Sequence, residues 1–103
     1  MRAKEYGMQI RVEAPIYFSQ NDETVMFDWL GRIGVVEDVI GEGRDLIIRL
    51  KQAPTDNQLR DLLALFFRYQ MDMTPLAALR TAKNESWFSD QESYWFDKVF
   101  REI

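Results

Sequence analysis

From residue 8 onward the chain alternates: Met8, Ile10 and Val12 are apolar, while Gln9, Arg11 and Glu13 are polar. A period of two predicts a half-buried strand, and Ile16 and Phe18 are expected to resume its inner face beyond Pro15. After a polar run over 19–23, Val25, Met26, Trp29, Leu30 and Ile33 recur at three- and four-residue spacing. That is the period of an amphipathic helix, and Gly34 stands where a left-handed C-terminal cap would be. Two β-branched runs, 35–40 and 46–51, flank a segment carrying Gly41 and Gly43 and predict a β-hairpin. Thr55 followed by Gln58 reads as a capping box, opening a helix to Tyr69 along the stripe Leu59, Leu62, Leu63 and Phe66. Leu65 and Phe67 lie off that stripe, so this helix is expected to meet a second layer, for which the C-terminal segment is the candidate. Thr74-Pro75 predicts a short helix through Arg80, and Ser89 with Glu92 predicts a further capping box and a helix through Phe100.

The resulting order is β-α-β-β-α followed by two short helices. It describes an α+β domain with a small three-stranded sheet, in the order of a split β-α-β unit, half of a ferredoxin-like fold. Residues 33–43 resemble, element by element, the helix-to-hairpin passage of small metal-carrier and amino-acid-regulatory domains of that fold. The Cys-x-x-Cys of a metal carrier is missing, so the resemblance implies a fold and no functional residue. No repeat, low-complexity tract or linker interrupts the chain, and its 103 residues are expected to form a single domain.

Composition narrows the chemistry. With no His and no Cys, the chain cannot build a Ser-His-Asp triad, a Cys-His nucleophile pair, an imidazole or thiolate metal site, or a disulfide. Its 13 Lys and Arg against 17 Asp and Glu make a formal charge of -4, which argues against a nucleic-acid ligand, since phosphate neutralisation supplies most of that affinity. The longest apolar run is 62–67, whereas a bilayer-spanning helix needs about 20 residues, so no membrane association is expected. The first residues carry no apolar core of a signal peptide, and together with the missing disulfide framework this points to the cytoplasm.

Charge is uneven along the chain. Residues 21–45 hold seven acids (Asp22, Glu23, Asp28, Glu37, Asp38, Glu42, Asp45) against Arg32 and Arg44, a local balance of -5. Such a surface would steer toward a basic partner; it would equally serve as an ordinary solvated face. Six of the 14 aromatic residues fall between Trp87 and Phe100, more than one helical stripe can bury. Trp95, Val99 and Phe100 are expected to pack inward, and Trp87 and Tyr94 are the candidates for a partner surface. Gly41-x-Gly43 is a turn and no phosphate loop, because a strand follows it where a helix would have to begin. Adjacent Glu37 and Asp38 point to opposite faces of a strand, and Asp90 and Glu92 are explained by capping, so no carboxylate pair suggests acid/base catalysis. The weak excess of Arg49, Lys51, Arg60 and Arg68 over two acids in 46–70 could complement the acidic segment of a second copy.

These observations point to a non-catalytic binding protein that masks a basic protein partner, in the manner of an inhibitor or immunity protein. The contact residues would be Asp28, Glu37, Asp38, Glu42, Asp45, Trp87 and Tyr94, and neither cofactor nor metal is expected. The alternative is a small-molecule-sensing regulatory domain that works as a homodimer. An enzyme relying on Asp, Glu or Tyr alone ranks last.

Overall fold

A computed structural model describes residues 8–101 and contains a three-stranded antiparallel sheet with several helices on one core. Strand β1 (Gln9–Glu13) is followed by α1 (Gln20–Arg32), the hairpin β2 (Val36–Glu42) and β3 (Asp45–Leu50), and α2 (Asp56–Arg68). A 3-10 helix (Thr74–Leu79), α3 (Glu85–Phe88) and α4 (Phe96–Phe100) complete the chain. The spatial strand order is β1-β3-β2, with β3 antiparallel to both neighbours, so α1 carries the chain from one edge of the sheet to the other. The Cα radius of gyration is 13.7 Å, close to the ~13 Å expected of one compact domain of this length.

Alternation puts Ile10 and Val12 of β1, and Leu46, Ile48 and Leu50 of β3, on the inner face. They join Met26, Leu30 and Ile33 from α1 and Leu59, Leu62, Leu63, Leu65 and Phe66 from α2. The Thr55 capping box forms: the Thr55 hydroxyl accepts from the Gln58 amide, and the Gln58 side chain accepts from the Thr55 amide. Leu65, off the main stripe, is fully buried, while Phe67 lies against Tyr94 with ring centroids 4.8 Å apart. The expected second layer is therefore the C-terminal unit.

Five local expectations are corrected. The inner face of β1 does not resume at Ile16 and Phe18, which are 77% and 89% exposed. Ala14 still donates to the Arg44 carbonyl, but the partner strand ends there at its turn, and Pro15 has no N–H to donate. Gly34 has no positive φ; extended Ile33 closes α1, and the glycine instead allows close approach, since a Cβ there would lie 3.3 Å from Gln58 Nε2. Gly41 belongs to β2 opposite Leu46, leaving Gly43-Arg44 as a two-residue turn with φ +63° at Gly43, the sign pattern of a type II′ hairpin. Thr74 is the first residue of its helix and not the cap; Asp72 Oδ1 accepts from its amide and its hydroxyl.

The fifth correction is the largest. Ser89 opens no helix but ends α3 as its C-cap, and residues 90–95 form turns in which Asp90 Oδ1 accepts from the Glu92 amide. A different pair opens the preceding helix α3: Thr81 N–H donates to Asn84 Oδ1 (2.8 Å) and Asn84 N–H donates to Thr81 Oγ1 (3.2 Å). The Trp95 indole N–H donates to the Phe88 carbonyl at 2.8 Å, and its ring meets Trp87 edge-on. Of the helix expected from Ser89 through Phe100 only α4 forms, and α3, ahead of Ser89, lies outside that expectation.

Candidate functional site

The β1–α1 connection and the end of α2 face each other across a cleft of about 550 Å³. On one side run Ala14, Pro15, Ile16 and Phe18; on the other run Arg68, Tyr69, Gln70, Met71 and Asp72, with Glu13 and Asp22 completing the wall. Each side is held by local hydrogen bonds. Ser19 Oγ accepts from the Asp22 amide (3.1 Å), and Asp22 Oδ2 accepts from the Phe18 amide (2.9 Å), so the backbone before α1 is pinned while the Phe18 ring stays in solvent. The Tyr69 hydroxyl donates across to the Asp22 carbonyl at 3.4 Å, tying the end of α2 to the start of α1.

The other wall is a Schellman turn. Gln70 N–H donates to the Phe67 carbonyl and Met71 N–H to the Phe66 carbonyl, while buried Met71 and Phe66 share the core. Its left-handed position is filled by Gln70, with φ +58°, where glycine is the usual residue. Gln70 also lines a shallower groove formed with Ala64, Phe67, Arg68 and Tyr94. The cleft and this groove thus share Arg68 and Gln70, and Tyr94, 52% exposed, lies on the same side of the molecule.

Three carboxylates, Glu13, Asp22 and Asp72, and one guanidinium, Arg68, surround the cleft, so its field is net negative. Phenol groups nearby are held neutral. Burial, followed by the charge of Asp22, pushes the Tyr69 hydroxyl above its usual 10.0; burial, followed by the charge of Glu23, does the same at Tyr17. The Tyr17 ring packs against Phe27 at 6.4 Å, and its buried hydroxyl has no hydrogen-bond partner. Tyr94 is likewise raised by burial, with Arg68 pulling in the opposite direction.

The acidic residues singled out from the sequence are dispersed. Asp38, Glu42 and Asp45 lie on the outer face of the sheet, where arginines from neighbouring strands answer them. Arg49 holds Asp38 through two 2.8 Å hydrogen bonds, and Arg11 binds Asp45 at 2.7 Å and also Glu42. The Arg49 guanidinium lowers the Asp38 carboxyl below its ordinary 3.8. Asp28 is exposed on α1, and Glu37 sits where the β2–β3 register shifts between Val36 and Asp38; neither forms an ion pair among the described residues. Trp87 is half-buried, with the Arg60 guanidinium 3.9 Å above its ring and its indole N–H buried without an acceptor.

Sequence reasoning missed Ile16 and Phe18 as surface residues and Gln70 altogether; it noted Arg11 only as a polar position of a strand and Arg68 only as part of a weak basic excess. Pro15 followed by the Ser19/Asp22 pair was the available signal that the strand had ended. A helix end without glycine, at Tyr69-Gln70-Met71, was the available signal for strain. Among the described residues no group of three or more Asp or Glu side chains is placed to hold a metal ion, and no helix is long and apolar enough to cross a membrane. None of the protein-family models, curated proteins or solved structures compared with this chain matches it.

Proposed function

We propose that this protein is a non-catalytic protein-binding module that masks a basic partner, with the cleft between the β1–α1 connection and the end of α2 as its contact surface. The observation that carries this reading is the exposure of Ile16 and Phe18 beside a carboxylate-rimmed cleft. Large apolar side chains held in solvent by a hydrogen-bonded loop cost solubility, and they mark interaction surfaces when they adjoin a concavity. A partner that inserts an apolar side chain flanked by Lys or Arg would satisfy both the apolar rim and Glu13, Asp22 and Asp72. Tyr94, two of whose groove neighbours also line the cleft, would lie at the rim of that contact. The raised phenols support a non-catalytic role, because a tyrosine serving as base or nucleophile needs a shift in the opposite direction.

The β1-β3-β2 order supports the reading of the sheet as half of a ferredoxin-like fold, with the 3-10 helix beside β1 where a fourth strand would stand. The absence of cysteine, and with it of any disulfide framework in so small a chain, supports placement in the cytoplasm.

The test is affinity capture at low and high salt with the wild type and an Ile16→Ser/Phe18→Ser variant, both verified as folded by circular dichroism. A basic protein retained by the wild type at low salt, and lost in high salt and in the variant, is expected. Equal retention by both baits would overturn the reading. The cleft volume falls within the roughly 300–1,000 Å³ of small-molecule sites, which favours a second reading as a sensing domain. That reading expects a saturable rise in melting temperature with a metabolite, and a mass that changes with ligand.

A further inference from the structure

The backbone of the sheet identifies a second surface. Ala14 N–H donates to the Arg44 carbonyl and Leu50 N–H donates to the Met8 carbonyl, which fixes the phase of the β1–β3 ladder. With that phase, Leu46, Ile48 and Leu50 bond toward β1, and Asp45, Ile47 and Arg49 bond toward β2. Their partners Glu42 and Ile40 therefore use their amides inside the hairpin, and Val39 and Gly41 direct both N–H and C=O away from the sheet. β1 lies beside the 3-10 helix, whereas on the outer edge of β2 the Val36 N–H at its start is taken by the Ile33 carbonyl, and among the described residues no backbone group bonds there to Val39 or Gly41.

Edge strands left open are usually blunted by a bulge or by charge. The irregularity at Glu37 blunts the beginning of β2, yet the register from Asp38 to Glu42 is regular. Along that stretch the outer face presents Asp38, Ile40 and Glu42, with Ile40 44% exposed between the two carboxylates. Arg49 and Arg11 bind Asp38, Glu42 and Asp45 on this face, but with Glu13 the four acids outnumber the two arginines, so the face stays net acidic and this charge selects the occupant. If a second copy paired its β2 antiparallel with Val39 opposite Gly41, Ile40 would meet Ile40, but Asp38 would face Glu42, a like-charge pair that destabilises a sheet.

We propose that the outer edge of β2 accepts an extended segment of a basic protein as a fourth strand, bonded through Val39 and Gly41, with two basic side chains flanking an apolar one opposite Asp38, Ile40 and Glu42. Main-chain bonds supply the affinity of such strand addition, and alternate side chains supply its selectivity. This surface is separate from the cleft and goes beyond the reading given for it; neither Ile16 nor Phe18 takes part.

The probe is the capped heptapeptide Thr-Lys-Thr-Val-Thr-Lys-Thr, compared with the same peptide carrying Glu in place of both Lys, and with one carrying Pro in place of the two Thr that flank Val, whose N–H groups bond to Val39 and Gly41 in an antiparallel pairing. Amide hydrogen exchange of the whole protein is read residue by residue. At a basic-peptide concentration of about ten times its Kd, about a tenth of the molecules remain free, so exchange at Val39 and Gly41 is expected to slow about tenfold. The Glu and Pro peptides are expected to leave these amides unchanged, and the Ile16→Ser/Phe18→Ser variant to respond like the wild type. A Val39→Pro variant, which removes an outward N–H and no hairpin bond, should lose the response. Three results would each overturn the proposal: equal protection by the Lys and Glu peptides, binding without protection at Val39 and Gly41, or protection that rises with protein concentration alone.

Discussion

Gln70 adopts a left-handed backbone that costs an L-residue with a Cβ about 1–2 kcal/mol, and its side chain lines both the cleft and the adjoining groove. Strain of this kind persists where the surrounding structure enforces it, here through the Schellman bonds to Phe66 and Phe67. Gln70→Gly is expected to stabilise the fold by about 1 kcal/mol, raising the melting midpoint by roughly 4–8 °C for a domain of this size. If the cleft is the contact surface, the same substitution weakens partner capture, because the carboxamide is lost. Gln70→Ala should weaken capture without the gain in stability. A Gln70→Gly protein that melts no higher than the wild type would show that the turn carries no strain.

The short α3 depends on one buried polar residue. Asn84 accepts from the Thr81 amide through Oδ1, donates its own amide to Thr81 Oγ1, and donates Nδ2 to the Leu79 carbonyl at 3.0 Å. This reciprocal arrangement joins the end of the 3-10 helix to the start of α3 and seats Phe88 in the core. Asn84→Ala leaves the Thr81 amide and the Leu79 carbonyl without partners and is expected to cost about 1–3 kcal/mol, read as a fall in the denaturant midpoint with an unchanged m-value. Ser89→Ala, at the residue the sequence pattern favours as a cap, is expected to change stability by less than about 0.5 kcal/mol, since its amide lies at the end of α3 and not at a helix start. A larger loss at Ser89 than at Asn84 would reverse this assignment. The main elements were legible because each repeats its apolar residues at its own period, and because Thr55 and Gln58 cap α2 within four residues. The C-terminal unit was not, because its four- and five-residue helices are too short to hold themselves and take their shape from Trp87, Phe88 and Trp95 in contact.

Stability of the whole molecule should have two pH limbs. Asp38 titrates below its ordinary value because Arg49 binds its ionised form; this contribution is present above that value and is lost as pH falls through the lowered one. Tyr17, Tyr69 and Tyr94 titrate above 10.0, so their contribution is complete below that pH and is lost as pH rises through the raised values. Urea midpoints measured across the pH range should be flat between these limbs. Asp38→Asn should shallow the acid limb, and Tyr17→Phe with Tyr69→Phe the alkaline one; Tyr17→Phe alone, which removes a buried hydroxyl without a partner, should not lower stability at neutral pH. An alkaline limb unchanged in the double variant would refute the assignment of buried phenols.

Local periodicity and capping chemistry were enough to establish an α+β chain with a hairpin and two principal helices, since those signals act over a few residues. The chemistry excluded by the missing His and Cys was equally plain, because it depends on composition and not on place. Which charges remain unanswered was decided by strand pairing: Arg11 reaches Asp45 across 34 residues of chain, a distance over which no spacing rule operates. The position of Ile16 and Phe18 in solvent, and of Gln70 between two concavities, likewise arises where separate elements meet. Tertiary contact therefore chose the surface, while local patterning chose the elements that carry it.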